Sequence, residues 1–295
     1  MQFDPSILFV QLISGLCRGI ILFLLASGLT LVFGVMRVIN FAHGSFYMLA
    51  AYMAYSLTHL FGAFGNGFWV ALLVVPLAVA GVGGIVEFVL LRRIYEKEHL
   101  LQILLTYALI FIFNDAIRFF WGSDLRIVTM APQLTGSVSF LGQTFPVYYF
   151  FIIGAGFAVA VSMWLLLRMT RLGKLMRASA EHGEMVEMLG YNVGALFTVV
   201  FVIATGLAGF AGVVIAPTIR LALGMDINII IECFLVVIIG GLGNVWGALL
   251  AALITGQTYA FGILVLEKYA MAFLFALAAL IIIFRPSGLL GKSVR

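Results

Sequence analysis

Side chains able to do chemistry are few in this chain, and most of them interrupt apolar sequence. Glu87, Asp115, Arg118 and Glu232 fall within or beside apolar runs. A charge at the centre of a bilayer costs about 2.5–3.5 kcal/mol on insertion scales, so each must be paired, snorkelling or functional. Asp115 and Arg118 stand three apart near Trp121, the spacing of a local helical ion pair. Glu87 lies a turn before the basic Arg92 and Glu232 opens a short apolar segment, so both are placed at a membrane boundary. His43 has no second His, Cys or carboxylate at helix-face spacing; a structural histidine is expected and a metal site is not. Cys17 and Cys233 lie in apolar segments without CxxC spacing and read as small core residues. No Ser/His/Asp, Cys/His or paired-carboxylate arrangement points to catalysis. The tail Pro286-Ser-Gly-Leu-Leu-Gly-Lys-Ser293 ends like a phosphate-binding loop, but Pro286 stands where the first glycine is needed and almost no chain follows to form the helix. The chain is therefore expected to need no cofactor and to bind no ATP itself.

The elements that position these groups follow from composition. The 295 residues are 64% hydrophobic and 9% charged, against about 25% charged in soluble domains. Mean hydropathy is +1.21. These values predict an all-α polytopic membrane protein, one integral-membrane unit over residues 1–295. The N-terminus, Met1-Gln-Phe-Asp-Pro5, lacks the basic region of a secretory signal, so the first apolar segment reads as a retained span.

Apolar runs approaching or exceeding the roughly 20 residues that cross a bilayer occur near 7–33, 44–61, 68–91, 100–120, 147–167 and 194–216, followed by 229–239, 246–266 and 269–284. The run 229–239 is too short to span as a regular helix. The expectation is eight transmembrane helices, nine at most, with broken or re-entrant segments near 34–44 and 229–244. Net charge +4 and pI 9.2 reflect the positive-inside rule rather than nucleic-acid binding, because basic residues gather in a few connections. Arg37, Arg92, Arg93, Lys97, Arg168, Arg171, Lys174, Arg177, Arg285, Lys292 and Arg295 fall on one side, assigned to the cytoplasm. On the other side, alternation around Gly142-Gln143 predicts a small hairpin within 133–146.

The two broken segments share a pattern: small and polar residues, an aromatic, then a helix-forming apolar run. One spans Gly34 to Ala51 and includes Asn40, His43 and Gly44; the other spans Gly240 to Ala252 and includes Gly241, Gly243 and Asn244. Non-helical backbone at membrane depth is tolerated only inside protein or beside a water-filled cavity, and paired broken helices point to a transport pathway. Helix-to-helix contact is the competing use of such glycines.

The stretch 168–192 holds seven of the 28 charged side chains. Leu175, Ala178, His182, Met185 and Leu189 recur at three- and four-residue spacing, which predicts an amphipathic cytoplasmic helix. Its apolar stripe must be buried by the rest of the chain, by the lipid surface or by a soluble partner.

The run from Ser27 to Gly44, with Gly-Leu-Thr-Leu at 28–31 and Ile-Asn-Phe-Ala-His-Gly at 39–44, resembles the signature of branched-chain amino acid ABC-transporter permeases of the LivH type. Blocks 177–192 and 237–248 match that family in the same order. The resemblance implies a permease subunit of an ATP-driven importer for a small, branched-chain or aliphatic amino acid, working by alternating access. Its implied partners are a second homologous permease, two cytoplasmic ATP-binding subunits and an extracytoplasmic solute-binding protein. By the same resemblance 168–192 is the coupling segment, with Arg177, Ala178, Ala180, Glu181, Leu189 and Gly190 in contact with an ATPase. Asn40, His43, Gly44, Gly240, Gly241, Gly243 and Asn244 are the pathway candidates. They carry no conspicuous charge to bind a strongly ionic solute, which fits an aliphatic amino acid. Two features depart from the common family pattern: Arg18, at a place usually small or apolar, and His182-Gly183, where Gly183 can split the coupling helix in two. The competing class is a secondary transporter or channel for a small neutral solute such as urea or an amide, using Glu87, Asp115 or Glu232 as a proton site and no ATPase.

Overall fold

The computed structural model describes residues 5–62, 65–95, 97–140 and 142–291. Lys292, Arg295 and the Met1 end of the N-terminal reading lie outside them. Ten α-helices carry the described chain: α1 (Pro5–Met36), α2 (His43–Leu60), α3 (Gly67–Val89), α4 (His99–Trp121), α5 (Val147–Met169), α6 (Arg171–Met188), α7 (Val193–Ile215), α8 (Met225–Gly240), α9 (Val245–Leu266) and α10 (Ala270–Phe284). The predicted hairpin is present as β2 (Ser137–Phe140) against β3 (Gln143–Pro146); Leu141 of its turn is outside the described residues. A second, unforeseen strand pair joins β1 (Arg126–Ile127) to β4 (Arg220–Leu221), tying the α4–α5 connection to the α7–α8 connection.

The architecture is that of an all-α polytopic membrane protein. Large apolar side chains such as Leu73, Leu77, Phe119, Phe120, Ile283 and Phe284 point outward, an exterior suited to lipid. Six stretches are long and apolar enough to cross a membrane: Ile7–Met36, Gly67–Arg93, His99–Trp121, Val147–Met169, Val193–Thr218 and Val245–Phe284. The last covers both α9 and α10. The expected count of eight or nine treats the short helices as crossings of their own, whereas length and apolarity support six among the described residues. The 16 residues of α8 rise only about 24 Å, short of the roughly 30 Å hydrocarbon core.

The centre is formed by α1 and α7, both largely enclosed. α1 runs along α9 and α7, while α7 also packs on α2 and α3. α2 is apolar or small almost all round and is buried along most of its length, as a helix without a polar face must be. The two expected breaks are present, at 37–42 between α1 and α2 and at 241–244 between α8 and α9.

Candidate functional site

The two breaks meet at one end of the bundle. Gly34, in the last turns of α1, sits backbone to backbone with Gly243. A Cβ on Gly240 would fall 2.4 Å from the carbonyl carbon of Gly247, one on Gly241 2.5 Å from the Gly291 nitrogen, and one on Gly44 2.6 Å from the Asp226 carbonyl oxygen. Gly44 and Gly240 are close helix-to-helix contacts, and Gly241 lies against the segment after α10. Asn244 caps α9, its Oδ1 accepting from the N–H of Trp246 at 3.1 Å and of Gly247 at 3.0 Å. Its Nδ2 donates to Leu290 O at 2.7 Å. The N–H groups of Leu289 and Leu290 donate to Ile239 and Gly240, so the segment that imitates a phosphate-binding loop instead satisfies the last carbonyls of α8.

Behind this contact lies a buried polar group. Asn40 and His43 are fully enclosed. His43 Nε2 donates to Leu25 O at 3.1 Å, which leaves Nδ1 as an acceptor without a partner among the described residues. Neither side-chain polar atom of Asn40 has one there either. Asp226, in the first turn of α8, accepts from Ser45 Oγ at 2.6 Å and Asn114 Nδ2 at 3.1 Å, joining α2, α4 and α8. The sequence patterns did not single out this triad; its signal was a carboxylate opening a short apolar helix.

At the same end lies α6. Thr170 caps it, with Oγ1 accepting from the N–H of Gly173 at 2.9 Å. His182 leaves helical geometry at φ −142°, ψ 71°, so α6 is two short helices joined just before Gly183. The second ends in a Schellman turn: Gly190 takes φ +86°, Tyr191 N–H donates to Val186 O at 3.3 Å and Gly190 N–H to Glu187 O at 2.8 Å. The chain buries Gly173, Met176, Ser179 and Val186. The stripe predicted from spacing is rotated off that face, with Leu175 half-buried and Ala178, His182, Met185 and Leu189 exposed. Met188 and Leu189 are 82% and 72% exposed, so the protein itself does not cover this surface. Arg177, Ala178, Glu181, Leu189 and Gly190 are all exposed, and Ala180 is half-buried. Arg37, in the left-handed region at φ 56°, donates through Nη2 to Ala180 O at 2.9 Å, linking the first break directly to α6.

Toward the opposite end, Arg18 and Glu232 form an ion pair that the boundary placement of Glu232 did not foresee. One nitrogen, Nη2, reaches Oε2 at 2.8 Å and Oε1 at 3.0 Å. Both residues lie in apolar helices, and opposite charges there find one another because neither tolerates lipid alone. Arg18 is thus paired. The pair lines a cavity of about 460 Å³ between α1, α5, α7 and α8. Glu87, in the last turn of α3, is fully enclosed and accepts from the Tyr95 hydroxyl. Burial and the Glu87 carboxylate push the Tyr95 phenol well above its ordinary range. Asp115 and Arg118 make only a loose, exposed contact at 4.0 Å.

The chain has relatives of established kind along nearly its whole length. The chain is 29% identical over 300 residues to the high-affinity branched-chain amino acid transport system permease protein BraD of Pseudomonas aeruginosa, covering 96% of this chain and 95% of that one. It is 26% identical over 302 residues to LivH of Salmonella typhimurium, with the same coverage, and 24% identical over 296 residues to LivM of Escherichia coli, covering 90% of this chain and 67% of LivM. No solved structure gives a significant match. The family model described as branched-chain amino acid transport system, permease component, matches residues 11–284, and the chain belongs to that family.

Proposed function

We propose that this chain is the membrane-spanning subunit of an ATP-driven importer that moves a branched-chain or other aliphatic amino acid by alternating access. The observation that carries the coupling role is α6: a two-piece amphipathic helix whose apolar stripe the chain leaves uncovered, fixed to the first break through Arg37 and Ala180. A soluble ATPase seated on that stripe would pull on α6, and Arg37 would pass the displacement to the break between α1 and α2. Arg177, Ala178, Ala180, Glu181, Leu189 and Gly190 form the docking ridge, placed on the cytoplasmic side by the basic connections.

The relatives include permeases of both the LivH and the LivM kind, which supports a heteromeric pair with a second homologous permease. Two ATP-binding subunits and an extracytoplasmic solute-binding protein complete the assembly. The pathway passes Asn40 and His43, whose unpaired polar atoms are the groups at the breaks able to meet a solute or its water; Gly44, Gly240, Gly241 and Gly243 let the helices that frame it cross closely, and Asn244 holds the second break.

The test is reconstitution. Tagged chain extracted from its native membrane in mild detergent should copurify with a second permease and two ATPases. Proteoliposomes holding the full assembly should take up L-leucine only with ATP inside the compartment facing the ATPases. Ion-driven uptake by the chain alone would overturn the proposal in favour of a secondary transporter.

A further inference from the structure

The 460 Å³ cavity falls within the 300–1,000 Å³ range of small-molecule sites. Its wall carries Arg18 and Glu232 in contact, set among Ile21, Leu22, Ile152 and Ile229, together with a second and exposed cation, Arg220. The pair is asymmetric in exposure: the Arg18 side chain is 31% open and that of Glu232 is 9%. The Arg18 guanidinium lies 3.5 Å from the centroid of the Tyr259 ring, which holds its plane. Both contacts to Glu232 use Nη2 alone, and Nε, itself buried, has no partner among the described residues. A guanidinium presents five N–H donors in a fork that matches a carboxylate, so the pair as it stands leaves donor capacity unused.

We propose that this cavity recognises a zwitterionic amino acid with an aliphatic side chain. The α-carboxylate would engage the exposed part of the Arg18 side chain, the α-ammonium would sit against Glu232, and the aliphatic side chain would lie on the isoleucine and leucine wall. A ligand with both charges adds no net charge to the buried pair and can satisfy both of its members, whereas an acid or an amine alone would satisfy one member and leave the other uncompensated. A neutral amide or urea could hydrogen-bond to both groups but would bring no charge to either. The choice of ligand rests on the amino acid reading of the proposed function, but it moves recognition from the uncharged breaks to a charged pair nearer the opposite end of the bundle, beside Thr218, Arg220 and Asn228.

Saturation-transfer NMR on the full chain in detergent micelles tests this with L-leucine, isovalerate, isoamylamine and urea as probes, since the method reads weak binding. On the unaltered chain, L-leucine should displace labelled leucine at least tenfold better than either isovalerate or isoamylamine, and urea should not compete. The doubly neutral variant R18Q/E232Q, which keeps hydrogen-bonding groups in place, should lose at least fivefold of the leucine signal while eluting as the same monodisperse species. Equal competition by isovalerate, isoamylamine or urea on the unaltered chain overturns the proposal whether or not the variant folds, and so does an unchanged signal in a folded R18Q/E232Q. Leucine binding that survives in a chain giving no ATP-dependent uptake would leave this site standing and sink the importer reading instead.

Discussion

Gly34 and Gly243 share one contact from both sides: a methyl built on Gly34 would lie 2.6 Å from the Cα of Gly243, and one built on Gly243 2.7 Å from the Cα of Gly34. Backbone cannot retreat as the end of a side chain can, so either alanine forces the two breaks apart. Overpacking of this kind costs about 1–3 kcal/mol, and Gly243→Ala carries the extra burden of φ +79°. Thermal unfolding in detergent should show both variants destabilised, Gly243→Ala the more. Gly183→Ala serves as the control, because its added methyl meets nothing within 4 Å; it should be neutral or slightly stabilising.

Glu232→Leu should be worse than the double replacement Arg18→Met with Glu232→Leu. Removing one partner of a buried pair leaves an uncompensated charge and costs about 3–5 kcal/mol, while replacing both with apolar groups is often neutral. Because Arg18 is partly open, the lower end of that range is expected. A double-mutant cycle on apparent melting temperature checks it; a single variant as stable as the double would be inconsistent with a buried pair.

Leu189→Asp and Gly190→Arg should leave the permease folded and lower substrate-stimulated ATP hydrolysis by the assembled complex at least tenfold. Both positions are exposed, so neither change removes a contact within the chain. Gly190→Arg adds left-handed strain of about 1–2 kcal/mol, whereas Leu189→Asp adds none. Agreement between the two therefore separates lost docking from local strain.

Arg37→Gly should relieve a left-handed non-glycine residue and slightly stabilise the isolated chain, yet weaken coupling, since it deletes the 2.9 Å bond to Ala180 O. The expected signature is ATPase activity retained with leucine uptake reduced. Equal loss of both would argue for damage to assembly instead.

Tyr95→Phe leaves the enclosed Glu87 without its donor, a loss of about 1–3 kcal/mol. The Tyr95 phenol is raised above its ordinary value of 10.0. A raised folded value stabilises the protein fully below the unfolded value and less as pH climbs above it. Stability of the unaltered chain should accordingly fall above about pH 10, and a pH series of unfolding temperatures should show that decline blunted in Tyr95→Phe.

Much of this was readable before any coordinates. Apolar run length gives the membrane class, polar interruptions give both breaks, and the turn residues Gly142-Gln143 give the hairpin. Each depends on local chemistry. The kink at His182 was legible for the same reason, since Gly183 weakens the helix where it stands. The face that α6 buries was not: the stripe 175, 178, 182, 185 and 189 assumes one straight helix, and the bend at His182 changes the phase of everything after it. Pairings across 214 residues, as between Arg18 and Glu232, leave no spacing signal at all. Only the cost of lone charges in lipid could have matched them. Whether glycines line a path or join helices likewise depends on what stands opposite, and that partner is set by tertiary packing.

The tail's bonds to α8 set an order of events during synthesis. Ile239 and Gly240 expose carbonyls that find their donors on Leu289 and Leu290, and Asn244 reaches Leu290 as well. Those partners do not exist until α10 and the residues after it have been made. The break between α8 and α9 therefore enters the membrane unfinished and is latched last, after α10 has been inserted. A truncation at Pro286 would leave every apolar span intact and still deprive that break of its lock.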